Sequence, residues 1–319
     1  MLSSLKFVKG AVAKKDFVPA LRHFKIQDGR ITGYNGYIAL SAPIDLDMDV
    51  YPEAEPFYKA INACDDTVKM HLTPTGKLSV RAGKFRSLVN CLSDPGTYPE
   101  LFPEGDETPC PQELATAFQT LAPFIGVDAS RPWAMGLLLK GNLATATNNV
   151  VIVQYWMPVG IPYELAIPRR CVNEILRLKE SPETFKVNDH SISLNFSGDR
   201  WIRSQLQDKA WPDIGRVLDV PMQQVAVPDT LLEALETIKP FATKEERVYL
   251  GEGVISTHPL EEAEGTTIEV EGLQGQGCFN VAQLLNVVEL ASHIDFSHYP
   301  KPVPWIGGQC RGAIVGMRL

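Results

Sequence analysis

No run of about 18 apolar residues occurs in this 319-residue sequence, so nothing in it has the length and hydropathy of a membrane-spanning helix. The first residues, MLSSLKFVKGAVAKKDF, put Lys6, Lys9, Lys14 and Lys15 where a secretory signal needs unbroken apolar chain. A soluble, cytoplasmic protein with no membrane partner is expected. Metal-binding spacing is missing too. The six cysteines, at 64, 91, 110, 171, 278 and 310, include no Cys-x-x-Cys, and no histidine pair stands at finger spacing, so neither a zinc site nor a redox dithiol is expected. Catalytic signatures are equally absent, with no Gly-x-Ser-x-Gly and no His-Glu-x-x-His. The segment Gly272-Leu-Gln-Gly275-Gln-Gly277 ahead of Asn280 fits neither a dinucleotide loop nor a P-loop, and it reads as a hairpin bend. No catalytic residue, no metal and no cofactor are expected. There is also no basic surplus. Thirty Lys+Arg against 38 Asp+Glu give a formal net charge of −8, which at face value points away from nucleic acid.

What is present is an ordinary globular composition, 45% hydrophobic and 21% charged, in a chain too long for one core. Internal repetition is the strongest signal. Three stretches share an order of parts: an amphipathic helix, a basic residue in a turn, then a strand. LSSLKFVKGAVAKKD leads through Lys15 to FVPALRHFKI; PQELATAFQTLAPFIGVDAS leads through Arg131 to MGLLLKGNLATAT; PDTLLEALETIKPFATKEE leads through Arg247 to VYLGEGVIST. Lys15, Arg131 and Arg247 stand 116 and 116 residues apart. A second helix follows in each copy, at EAEPFYKAINAC, PRRCVNEILRLKE and NVAQLLNVVELASH, with apolar residues at three- and four-residue spacing. Alternating, strand-like sequence comes next. The first two copies close alike, on Tyr98-Pro99-Glu100-Leu101 and Trp211-Pro212-Asp213-Ile214. Residues 104–111 and 219–227 read as linkers. The pattern predicts an α+β chain of three tandem domains, 1–108, 109–222 and 223–319, each with two helices packed on antiparallel sheets.

Particular stretches resemble a known family. Arg131-Pro-Trp-Ala-Met-Gly-Leu-Leu-Leu, Ile167-Pro168-Arg169-Arg170 and Ser204-Gln-Leu-Gln-Asp-Lys-Ala-Trp-Pro-Asp-Ile are similar to the middle domain of the bacterial DNA polymerase III β-subunit, the replicative sliding clamp. Val80-Arg81-Ala82-Gly83-Lys84-Phe85-Arg86, Phe279-Asn280-Val281 and the ending Val315-Gly316-Met317-Arg318-Leu319 resemble motifs of its first and last domains. Two departures stand out. The helix begins almost at Met1 where the family has a strand first, and Thr147-Asn148-Asn149-Val150-Val151-Ile152 replaces a segment that usually carries an Arg. These losses fit a divergent clamp, carried by a phage or mobile element, better than a housekeeping one.

The resemblance implies a homodimeric ring that encircles double-stranded DNA without reading its sequence and tethers a polymerase. It implies helices lining the hole and sheets on the rim. Lys6, Lys9, Arg169, Arg170, Arg177 and Lys179, with the turn residues Lys15, Arg131 and Arg247, are the candidate DNA contacts. Taken alone, the same charges also read as solvated helix faces. A clamp loader and polymerase would bind by a short extended peptide with Gln and Leu/Phe anchors. Positions matching that groove are Thr147, Val150, Val151 and Ile152 from the second copy and Asn280, Val315, Gly316 and Met317 from the third; they also read as core beneath a domain junction. A clamp-like accessory platform in repair or transcription, or an inhibitor of a host clamp, would share this fold, and an enzyme is the remaining rival.

Resolved by copy, the net charge is −1, 0 and −7 over 1–110, 111–220 and 221–319. The surplus acid sits largely at Glu261, Glu262, Glu264, Glu269 and Glu271, in a segment expected on the rim. A ring with a basic lining and an acidic exterior carries such a total.

Overall fold

A computed structural model describes residues 1–65, 67–94, 96, 98–207, 210–260 and 265–318. Glu261, Glu262 and Glu264 lie outside the described residues. The first copy holds α1 (Leu2–Val8), β1 (Lys25–Gln27), β2 (Arg30–Tyr34), β3 (Ile38–Pro43), α2 (Ala54–Asn62), β4 (Lys69–Leu72), β5 (Lys77–Ala82) and β6 (Phe85–Asn90). After β7 (Thr108–Pro109), the second holds α3 (Leu114–Leu121), β8 (Gly136–Thr147), β9 (Val151–Pro168), α4 (Arg169–Leu178), β10 (Thr184–Val187), β11 (Ser191–Phe196), β12 (Arg200–Gln205) and α5 (Gly215–Leu218). The third holds α6 (Leu231–Ile238), β13 (Arg247–Gly251), β14 (Val254–Ser256), β15 (Thr267–Glu269), β16 (Gly277–Asn280), α7 (Val281–Val288), β17 (His293–Ile294), β18 (Val303–Gly307) and β19 (Cys310–Ile314).

The repeat extends to its punctuation. Each first helix ends in a single 3₁₀ turn, at Lys9–Ala11, Ala122–Phe124 and Lys239–Phe241. Pro123 and Pro240 end the latter two α-helices by removing an N–H. In the first copy Gly10 stands in the turn because Glu174 packs against it: a Cβ there would lie 2.0 Å from Glu174 Oε2.

Contacts divide the chain into two compact units, Met1–Ala115 with Arg170–Leu206, and Thr116–Arg169 with Gln207–Leu319. In the first, a seven-stranded sheet runs β1-β2-β3-β12-β11-β10-β7, joining the first copy to the second through Ser41↔Trp201, Leu40↔Ile202, Ala39↔Arg203 and Ile38↔Ser204. A three-stranded sheet, β4-β5-β6, completes it. In the second unit, β17-β18-β19-β9-β8 joins copies two and three through Val151↔Ile314 and Ile152↔Ala313, beside a four-stranded sheet β15-β14-β13-β16. Alternation decides which faces are buried: Ile202, Leu40, Ile31 and Leu194 are fully enclosed on one side of the large sheet.

The linkers are strapped down, and two other expectations need correction. Thr108 pairs with Phe185 at the sheet edge, Glu104 is ion-paired with Arg203 at 3.3 Å, Ala226 bridges His293, and Val227 N donates to Ser292 O at 3.0 Å. The Gly272–Gly277 segment is not a hairpin bend, because β15 and β16 lie on opposite edges of their sheet and it crosses between them, burying Leu273. Arg247 opens a strand instead of sitting in a turn. Its partner Asn280 holds it in register, and the turn falls on Glu246, whose φ is +54°.

Candidate DNA-contacting residues and partner groove

The candidate cations fall into two sets. Arg177 is committed: Nη1 donates to Lys6 O at 3.0 Å, Nη2 to Phe7 O at 2.7 Å, and Nε pairs with Glu174 at 2.6 Å. It thus caps the carbonyl end of α1, where backbone acceptors lack helical partners. Arg169 is half-buried and donates Nη1 to Ile125 O at 3.1 Å, and Arg247 is paired with Glu245 at 2.6 Å. The other set is exposed, and among the described residues Lys6, Lys9, Lys15, Arg131, Arg170 and Lys179 form no ion pair. Lys9 Nζ sits 4.7 Å from the Tyr58 ring centroid and the Arg170 guanidinium 4.1 Å from that of Tyr37, so aromatic faces steady both cations without neutralising them. Lys179 follows α4 with φ +56°, beyond the helix end. Lys15 stands in a loop closed by Ala13 N to Leu21 O at 2.9 Å, whose tip presents a fully exposed Phe17 that the sequence reading missed.

The groove positions are built by a turn the chain uses repeatedly. Asn148 Oδ1 accepts from Val150 N at 3.1 Å and Val151 N at 2.8 Å; in the first copy, 113 residues earlier, Asn35 Oδ1 accepts from Tyr37 N at 3.2 Å and Ile38 N at 3.1 Å. Such side-chain-to-backbone bonds make Asn a turn former, and Asn149 tolerates the φ of +72° the turn requires. Each turn is met by the tail of the next copy: Gln205 N donates to Tyr37 O at 3.3 Å, and Val315 N to Val150 O at 2.8 Å. Met317 N continues to Cys278 O at 2.7 Å, and Gly316 lets the tail lie on Tyr299, whose ring a Cβ would meet at 2.5 Å.

The junctions carry different residues at equivalent strand positions. Where the first has Arg203, donating to Phe102 O at 3.1 Å, the second has Ala313. The second junction carries a buried apolar cluster at this position. Ile152, Leu218 and Ala313 cluster there, with Ile214 and Val217 packed against them. The sequence reading had Ile152 but missed Ile214, Val217 and Leu218, which α5 delivers. Of its other positions, Val150, Gly316 and Met317 are half-buried and Val315 is exposed, Thr147 and Val151 are buried, and Asn280 caps α7 by accepting from Gln283 N at 3.0 Å.

A buried carboxylate holds the strap behind α5. Asp295 accepts from Gln223 N at 2.7 Å and from Ser297 N at 3.2 Å, and stands 3.4 Å from His298 Nε2. Burial pushes its pKa up, but the bonds from Ser297 and Gln223, helped by His298, outweigh this and hold it below the ordinary carboxylate value. A folded pKa below the unfolded one, about 3.9, gives stability present above that value and lost as pH falls through the lower one. Acid unfolding followed by near-ultraviolet circular dichroism should have a shallower limb below about pH 4 in Asp295→Asn than in the parent.

No protein-family model matches the sequence, and no curated protein matches it. Solved structures do. The β sliding clamp of Caulobacter crescentus superposes with a TM-score of 0.85 at 18% identity, covering 100% of this chain and 96% of that one. The β subunit of DNA polymerase from Streptococcus pyogenes gives 0.84 at 18%, and DNA polymerase III subunit β from Pseudomonas aeruginosa 0.83 at 20%, each covering 100% of this chain and 97% of the other. The chain has the β sliding-clamp fold over its whole length, as the α+β reading of the sequence anticipated.

Proposed function

We propose that this protein is a DNA sliding clamp: a homodimeric ring of three domains per chain, 1–108, 109–222 and 223–319, that encircles duplex DNA and tethers a polymerase after loading. One observation carries the reading. In both junctions the last strand of a copy, β12 or β19, pairs with the strand after the asparagine turn of the copy before, β3 or β9. The remaining halves have no such partner. Among the described residues β6 pairs in register only with β5, and β15 only with β14. Arg86 and Leu88 are exposed on β6 with Lys84 in the turn before it, and Glu269 and Glu271 are exposed at the end of β15, so a second chain would supply a third junction of complementary charge. Two chains then close a ring of six domains.

Encirclement needs attraction without grip, which exposed cations supply and base-edge contacts do not. Lys6, Lys9, Lys15, Arg131, Arg170 and Lys179 are the residues assigned to phosphates, with Arg169, Arg177 and Arg247 holding the structure beside them. Arg170→Glu with Lys179→Glu should shorten retention on nicked circular DNA and lower the salt slope of binding by about 2, one per lost phosphate contact. Unchanged retention in that measurement would remove these residues from the bore.

A further inference from the structure

We infer that the open edge of β4 is a strand-docking site, which takes an extended partner segment of alternating acidic and apolar residues as a fourth strand of the β4-β5-β6 sheet. The other two copies show how such an edge is covered. The strand that follows the second helix is β4, β10 or β17 in turn, and Met70, Phe185 and Ile294 hold equivalent places in them, opposite Val80, Leu194 and Trp305. In the second copy a short segment lies along that strand: Thr108 pairs with Phe185, Pro109 pairs with Thr184, and Cys110 N donates to Glu183 O at 2.9 Å. In the third, Ala226 bridges His293, and Ile294 N donates to Val225 O at 3.0 Å. In the first, among the described residues, β4 pairs with β5 alone. The inference does not rest on the clamp reading, and it leaves the opposite edge, β6, to ring closure.

The two faces of the edge define the partner. Phe185 and Ile294 are buried beneath their covering segments, whereas Met70 is half-buried and Leu72 is 51% exposed. Both nevertheless lie on the face whose next residues, Val80 and Leu78, are fully enclosed, so an added strand completes this face with apolar side chains. On the other face Lys69, Arg81 and Arg86 stand in one cross-strand row, and neither they nor His71 has an ion pair among the described residues. Like charges directly opposite one another are unfavourable, and acid in a neighbouring strand relieves them. The second copy holds the same recognition within one chain. Glu107, just before the covering pair, accepts from Thr184 Oγ1 at 2.6 Å and stands 3.9 Å from Lys186 Nζ, and those two places belong to Lys69 and His71 in the first copy. The backbone is ready as well. Thr73 N donates inward to Lys77 O at 2.8 Å, and Ile294 N donates outward, so in the equivalent register Met70 and Leu72 turn their N–H groups away from β5. A second copy of this chain docking by β4 would bring two cationic rows together, so the occupant is an acidic strand of another protein.

The test uses the full chain and labelled peptides whose centre alternates valine with glutamate, with a lysine-for-glutamate twin and a proline-for-valine twin. Fluorescence anisotropy should show the glutamate peptide binding about tenfold more tightly than the lysine twin, and the proline twin not at all. Leu72→Pro removes an outward N–H while sparing the ladder to β5, and it should abolish binding. Lys69→Glu with Arg81→Glu, which leaves the backbone alone, should reverse the preference in favour of the lysine twin. Leu88→Asp, on the opposite edge, should bind as the parent does. No binding, equal binding of the glutamate and lysine peptides, binding that survives Leu72→Pro, or binding lost instead in Leu88→Asp would overturn the inference. Self-association of the Leu88→Asp protein that Leu72→Pro dissolves would overturn it too, by giving the edge to a second copy.

Discussion

Leu88→Asp is expected to convert the protein to monomers at micromolar concentration and to abolish its retention on nicked circular DNA, while its unfolding transition stays where the parent's is. Leu88 lies on β6 with half its surface exposed, so replacing it disturbs little within the chain; surface changes of this kind are usually worth within about 0.5 kcal/mol. In a closed ring the same residue would be covered by the β15 edge of a second chain. An aspartate buried there without a partner costs about 1–3 kcal/mol, and it would face Glu269 and Glu271 as a like charge. A two-chain ring contains this interface twice, so the penalty counts twice. Light scattering reads the mass, and gel filtration of protein loaded on circular DNA reads the topology. A variant that remains dimeric would show that β6 is not the closing edge.

The second large effect separates two arginines of one helix. Arg177→Met should destabilise the unit formed by Met1–Ala115 and Arg170–Leu206 by about 2–3 kcal/mol, whereas Arg170→Met should change stability by less than about 1 kcal/mol. Arg177 caps two carbonyls of α1 and neutralises Glu174, which is itself pressed against Gly10; removing it leaves the acceptors bare and the carboxylate unpaired. Arg170 only stacks on the exposed Tyr37 ring. At roughly 2–4 °C per kcal/mol, thermal unfolding should place the Arg177→Met transition about 4–12 °C lower. Both variants lose one positive charge, so matched melting temperatures would refute the capping role whatever happens to DNA retention.

The difference between those two residues marks the limit of what the sequence discloses. Helices and strands were legible because their periods are written locally, and the threefold order because it recurs at a fixed interval. Which cation is free and which is spent depends on contacts such as that of Arg177 with Lys6 and Phe7, about 170 residues away in the chain. No periodicity encodes that. Ile214, Val217 and Leu218 escaped because a four-residue helix is too short to show a period. Val151 and Ile152 stand after a turn, and neighbouring strand residues face opposite ways, so composition alone could not say which one joins the cluster with Leu218 and Ala313. The strapping of the linkers escaped for a related reason: their prolines and charges describe the side facing water, and the pairing of Thr108 and Ala226 with sheet edges uses backbone groups that every sequence possesses.

The cross-copy sheets also set a schedule for synthesis. β3 leaves the ribosome some 160 residues before β12, and β9 precedes β19 by a similar interval. At about 5–20 residues per second, each of these inner strands waits roughly 8–30 s with one edge unpaired. During that interval the nascent chain presents the kind of open edge on which a neighbouring chain can template itself, so slow or crowded translation exposes this architecture to misassembly at the strands that later form its most internal seams.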